Sequence, residues 1–141
     1  MTEPSVELRL QGTLADLLGF EFDELGAERA TGSFEVVDAV RQPLGIVHGG
    51  AYAAFAESIA STATFLAVAE DGQMAMGQAN DTSFLRPVSS GTVHAEARRR
   101  HRGRTSWVWE VDCTDDEGRL CAIVRVTMAV RPPPGGSNAK P

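Results

Sequence analysis

Glu57 is the residue whose surroundings most require an explanation. It stands in GIVHGGAYAAFAESIAS, residues 45–61, and its neighbours Ala53, Phe55, Ala56, Ile59 and Ala60 predict a largely buried helix. A buried carboxylate needs a partner or a task. It could pair with a cation across a subunit interface. In a partly apolar pocket it could instead activate water as a general base, or attack an acyl carbon directly. The same segment opens with Gly49 and Gly50. The first amides of a helix have no acceptor within it and lie at the positive end of its dipole. With no Cβ at either glycine, a carbonyl can approach those amides closely, as an oxyanion of acyl transfer requires. Close helix packing accounts for the glycine pair equally well.

Spacing adds a constraint. Gly49 and Glu57 are 57 − 49 = 8 positions apart, about 12 Å along one helix, too far for one carbonyl to meet both. Two antiparallel helices related by a two-fold axis would set Gly49 of one subunit opposite Glu57 of the other, giving two equivalent sites. Ser61 lies one turn beyond Glu57 on the same face. Its hydroxyl could bond the carboxylate, bond the attacking water, or simply cap the backbone. Gln42, in the loop before the helix, could bind a carbonyl or a water, or remain solvated. His48 at the helix entrance could move protons or hold the loop by a hydrogen bond.

The run Arg98-Arg99-Arg100-His101-Arg102-Gly103-Arg104 is basic in a chain of net charge −6. Strand alternation predicts Arg98, Arg100 and Arg102 on one face. With Arg86 they could meet an anionic partner such as a pyrophosphate. The overall acidity and the lack of an RNA-recognition motif or zinc spacing argue against nucleic acid.

The elements that must position these groups follow from periodicity. Residues 48–69 read as one helix of roughly 33 Å, lined with alanine and serine and interrupted by Glu57, which disfavours a membrane span. Residues 14–18 suit a short helical turn, and residues 20–25 and 29–37 two strands. Four alternating segments over 74–85, 92–101, 105–114 and 120–130 read as an antiparallel meander, with Trp107, Trp109 and Val111 on one face. The result is an α+β domain over residues 1–131, a sheet of about six antiparallel strands wrapped around one long helix, the arrangement called hotdog. The free sheet edge predicts pairing with another subunit. Residues 132–141, PPPGGSNAKP, are too rich in proline, glycine and polar residues to pack and read as a flexible tail.

A chain of 141 residues holds one core. The N-terminus MTEPSVELRL does not resemble a signal peptide, and Cys113 and Cys121 have neither metal-ligand spacing nor the density of a secreted disulfide scaffold. These features predict a cytoplasmic protein without a metal.

The segments GIVHGGAYAAFAESIAS, TSFLRP, TSWVWEV and GRLCAIVRVTMAVRP together resemble the hotdog-fold acyl-CoA thioesterases, most nearly the Arthrobacter-type 4-hydroxybenzoyl-CoA thioesterases. The resemblance implies that the Gly49 amide polarises the thioester carbonyl, that Gln42 positions the reacting groups, and that Glu57 of the facing subunit is nucleophile or base. Ser61 stands where that family has a threonine. Arg86 and Thr105 match positions that contact the coenzyme A nucleotide, whereas Arg104 replaces a serine and Pro134 a terminal arginine. No cofactor is implied beyond the coenzyme A of the substrate itself, and the implied assembly is a homotetramer built as a dimer of dimers. An aromatic acyl group is the preferred substrate. The rival readings are a hotdog-type acyl-CoA hydratase or dehydratase, which would release no free thiol, and a non-catalytic acyl-CoA-binding module.

Overall fold

His48 starts the long helix by capping it. Its backbone is extended (φ −64°, ψ 132°), and its Nδ1 accepts the Gly50 N–H at 2.8 Å. The computed structural model describes residues 8–134. In chain order they form α1 (Leu14–Leu17), β1 (Glu21–Leu25), β2 (Arg29–Glu35), a 3-10 turn (Asp38–Val40), α2 (Gly49–Val68), a second 3-10 turn (Ala69–Asp71), β3 (Met74–Phe84), β4 (Thr92–Arg102), β5 (Ser106–Thr114) and β6 (Leu120–Arg131). The expected tail falls mostly on residues 135–141, outside the described residues.

One six-stranded antiparallel sheet, in the order β1-β2-β4-β5-β6-β3, wraps around α2. The buried side of the helix carries Tyr52, Phe55, Ala56, Ile59, Ala60, Ala63 and Thr64, the three-and-four spacing of a helix face. Its alanines let the backbone lie close to the sheet. Strand β5 alternates strictly, turning Trp107, Trp109, Val111 and Cys113 inward. Beneath the first half of α2, Phe55 packs edge-on to Phe20 and Phe34, with ring centroids 4.9 and 5.2 Å away.

The second half of the helix is tied to the sheet by a buried polar link. Trp109 Nε1–H donates to Thr64 Oγ1 at 2.9 Å, and Thr64 Oγ1 donates to the Ala60 carbonyl at 2.7 Å. Thr64→Val keeps the shape and orphans the indole N–H. Chemical denaturation should show a loss of about 1–3 kcal/mol, the cost of a buried donor without an acceptor; unchanged stability would mean that the link contributes nothing.

The alternation of residues 74–130 reads as a continuous meander, and the sheet order corrects this. Only β4-β5-β6 form one. Strand β3 pairs with β6 instead, from Met74 opposite Arg131 to Phe84 opposite Ala122, and β4 pairs with β2. The reason lies in residues 85–91. There the Leu85 and Arg86 amides both bond the Cys121 carbonyl (2.8 and 3.2 Å), the Val88 carbonyl accepts Val47 N–H (2.8 Å), and the Gly91 carbonyl accepts Val36 N–H (2.8 Å). These bonds carry the chain across the end of the sheet, so β3 is left as an edge strand of 11 residues.

Candidate active site

The start of α2 leaves one amide for a ligand. Gly50 N–H is taken by His48 Nδ1, and Ala51 N–H reaches the His48 carbonyl at 2.9 Å. Among the described residues the Gly49 N–H has no acceptor. His48 therefore holds the helix entrance, with its Nδ1 lone pair engaged and its ring proton on Nε2. On its other side Gly49 lies against Phe84: a Cβ there would stand 2.7 Å from the ring, so any larger residue must displace it.

A cleft of about 380 Å³ opens beside this amide, walled by Ile46, Val47, Tyr52, Phe84 and Pro87, with Gln42 and Arg86 also lining it. Gln42 sits in a tight turn in which its amide donates to the Ile46 carbonyl and its carbonyl accepts Gly45 N–H, both at 2.9 Å. Its Oε1 accepts the Leu44 amide, which leaves the Nε2 group as the free donor at the cleft. The structure thus brings Gln42, Gly49 and Arg86 to one place.

Glu57 lies elsewhere, and its environment corrects the sequence reading. The side chain is exposed, although Phe55, Ala56, Ile59 and Ala60 around it are fully buried. Ala53, Glu57 and Ser61 form an i, i+4 stripe beside the buried one, and this stripe overhangs the edge strand instead of the sheet. A Cβ on Gly77 would stand 2.9 Å from the carboxyl carbon and Oε1 of Glu57, so the carboxylate rests on bare β3 backbone where the register slips between Gly77 and Ala79. One turn earlier, Asn80 Nδ2 donates to the Ala53 carbonyl at 3.0 Å, and Thr82 Oγ1 braces Asn80 Oδ1 at 2.8 Å. Ser61 is half-buried, and among the described residues no hydrogen bond joins it to Glu57. Gly49 abuts Phe84 at one end of β3 and Glu57 abuts Gly77 towards the other. Within one chain the amide and the carboxylate are apart, as their spacing requires.

A family model described as the thioesterase superfamily matches residues 44–122, more than half of the chain. The chain belongs to that superfamily. It is 37% identical over 130 residues to a proofreading thioesterase, EntH, of Cronobacter turicensis, covering 92% of this chain and 94% of that one. A solved structure of a mutant thioesterase, PA1618 of Pseudomonas aeruginosa, superimposes with a TM-score of 0.83 at 37% identity over 87% of this chain and 88% of that one. The Staphylococcus aureus thioesterase SAV0944 is 26% identical. Its glutamate-to-alanine variant gives a TM-score of 0.82 over 86% of this chain and 100% of that one, and its glutamine-to-alanine variant 0.81 over 84% and 98%. Those two positions are fifteen residues apart in that protein, as Gln42 and Glu57 are here (47 − 32 and 57 − 42 both give 15). The chain is a thioester hydrolase.

The basic run of this thioesterase departs from simple alternation. A bulge at Arg100, between the pairs Arg99–Trp109 and His101–Val108, breaks the expected shared face of Arg98, Arg100 and Arg102. Arg99 and Arg102 instead both lie over the Trp107 ring, at 5.0 and 4.9 Å from its centroid, within cation–π range. Arg98 pairs with Glu96 and Arg100 with Glu110. Arg104 has no ionic partner among the described residues. Arg86 stands at the start of β6, where its amide bonds Cys121; Thr105 stands at the far end, where its carbonyl accepts Val130 N–H at 2.9 Å. Cys121 and Val130 are nine positions apart along β6 (130 − 121 = 9), roughly 30 Å, so one chain does not bring Arg86 and Thr105 together. Sequence reasoning passed over Tyr52, Gly77, Asn80 and Phe84. Their only signals were an apolar pair before Arg86-Pro87 and an amide in an otherwise alternating strand.

Proposed function

We propose that this thioesterase hydrolyses an aromatic acyl-CoA, of the 4-hydroxybenzoyl-CoA kind, to the free acid and coenzyme A at a site shared by two subunits. The observation that carries the reading is the unpartnered Gly49 amide at the mouth of an apolar cleft, in a chain whose Glu57 is exposed on the same uncovered edge. The thioester carbonyl accepts from Gly49 N–H, which offsets the charge that develops on its oxygen. Gln42 Nε2 holds the carbonyl or the water beside it. The partner subunit's Glu57 takes a proton from water as it attacks the carbonyl carbon, or attacks that carbon itself to give an anhydride that water then opens. Either way the C–S bond breaks, the thiolate leaves and takes a proton, and the acid is released. The partner's Ser61 orients the carboxylate.

An exposed edge strand supports the assembly. Met76 through Asp81 of β3 are all exposed, and a long unprotected edge is a template for a second strand. Two β3 strands paired antiparallel about a two-fold axis set the beginning of one beside the end of the other. Arg86 follows the end of β3, and Thr105 neighbours Arg131, which pairs with Met74 at its beginning. The same two-fold therefore draws the partner subunit's Thr105 and Arg104 to the end of the site where Arg86 stands, a set of groups suited to the phosphates of coenzyme A. Arg102, engaged over Trp107, contributes through that stack. A tetramer would add a second such dimer. The glutamine and glutamate replaced in the Staphylococcus aureus relative support pairing Gln42 with Glu57 in one reaction.

Screening benzoyl-, hydroxybenzoyl- and short aliphatic acyl-CoAs for free thiol tests this reading. Thiol should appear fastest from the aromatic substrates. Release from none of them would overturn the thioesterase assignment, and loss of substrate without thiol would favour a hydratase.

A further inference from the structure

Gly77 is a glycine that the backbone of β3 does not ask for. Six glycines among the described residues have positive φ, and Gly77 is not one of them, so an ordinary L-residue could adopt its conformation. Inside a strand a glycine weakens the ladder and often marks a bulge or the close approach of another group. Both are present here. Gly77 pairs with Met128 and Ala79 with Thr127, so Gln78 is the extra residue of a bulge. The group that comes close is Glu57. A Cβ on Gly77 would stand 2.9 Å from its carboxyl carbon, 2.9 Å from Oε1 and 3.3 Å from Cγ, and these are the nearest atoms it would meet beyond its chain neighbours.

The same stretch of strand grips the helix turn that carries Glu57. In an α-helix the N–H of Glu57 donates to the Ala53 carbonyl, and that carbonyl also accepts Asn80 Nδ2–H at 3.0 Å. Thr82 Oγ1 donates to Asn80 Oδ1 at 2.8 Å, which fixes the amide with its donor towards the helix. Nothing else directs the carboxylate: among the described residues Glu57 has neither a side-chain hydrogen bond nor an ion pair. Its place is set by the turn that Asn80 holds and by the bare backbone beneath it. Resting on the thioesterase reading above, we infer that Gly77 is a positioning residue: its missing side chain leaves the seat from which the Glu57 carboxylate reaches the thioester held by the facing subunit. A methyl group in that seat pushes the carboxylate away, because β3 is fixed to β6 along its length and the glutamate side chain is the part that can turn. A misplacement of about 1 Å at a reacting group can cost about 100-fold in rate.

Gly77→Ala tests this in two backgrounds, with thiol release measured on the acyl-CoA of the panel that wild type turns over fastest. In the otherwise native chain kcat should fall by about 10- to 100-fold while KM stays within about twofold, because the groups that hold the substrate at Gln42, Gly49 and Arg86 are untouched. In Glu57→Ala no carboxylate is left to displace, so the same change should lower the residual rate by less than about twofold, the non-additivity expected of two groups in contact. Light scattering should give Gly77→Ala the wild-type mass. A kcat within about twofold of wild type overturns the inference. So does an equal fall in both backgrounds, which would mean that Gly77 acts without Glu57. Loss of the assembly overturns it too, by making the glycine a requirement of strand pairing. Each of these results leaves the thioesterase reading intact, whereas absence of thiol from every substrate with wild type overturns both.

Discussion

Glu57→Gln should lower turnover by about 100- to 10,000-fold, the range over which a positioned acid or base accelerates proton transfer. The amide has the shape of the carboxylate but can neither take a proton from water nor attack a carbonyl carbon, so both routes open to Glu57 are lost together. Two structural facts make the experiment clean. Glu57 is exposed in the single chain and forms no ion pair among the described residues, so folding does not depend on its charge. Its side chain rests on Gly77, and a glutamine can occupy the same place without displacing β3. Light scattering should give the mass of the wild-type assembly, and KM should change far less than kcat, since the lost interaction acts mainly in the transition state. Turnover near wild type would remove Glu57 from the mechanism. A dissociated variant would recast it as an interface residue.

The parts of this protein that could be read from sequence are those fixed by local periodicity. Helix α2 lies within one residue of its expected bounds at both ends, because His48, the alanine stripe and Gly72 are local signals. The inward face of β5 follows from strict alternation. Pairing is less legible: residues 74–84 announce a strand, but nothing local says that the crossing at 85–91 will deliver it to β6. A one-residue bulge at Arg100 was likewise invisible, and it turned Arg102 from the predicted arginine face onto Trp107. The burial of Glu57 was misread for a different reason. Apolar neighbours at adjacent positions do not share a helix face, and Glu57 sits on the flank between the core stripe and solvent. Gln42 and Gly49 were legible together because both stand at one helix end in sequence, whereas Arg86, read with the arginine run, joins them only through the crossing at 85–91. Gly77 was hidden in a strand, since nothing local says that a carboxylate of α2 will lie over its backbone.

Mixing two inactive variants should restore activity. In one chain, Gly49 abuts Phe84 and Glu57 abuts Gly77, seven residues away on β3, with about 12 Å of helix between them. A single thioester carbonyl can meet both groups only if they come from different subunits. Glu57→Ala removes the carboxylate. Gly49→Val places a branched side chain beside the one free amide, where even a Cβ would lie 2.7 Å from the Phe84 ring; because Phe84 is more than half exposed, the ring can yield and the fold should survive. Each variant alone has a lesion in both sites of its dimer and should be nearly silent. In a mixed dimer the two lesions fall together in one site, and the other receives an intact Gly49 from one chain and an intact Glu57 from its partner. With random exchange, half of the dimers are mixed and each holds one good site, so thiol release should return to about a quarter of the wild-type value. Native mass spectrometry of size-tagged chains reports whether exchange has occurred. If mixed dimers form and thiol release stays at the level of the parents, Gly49 and Glu57 act within one chain and the shared site is wrong.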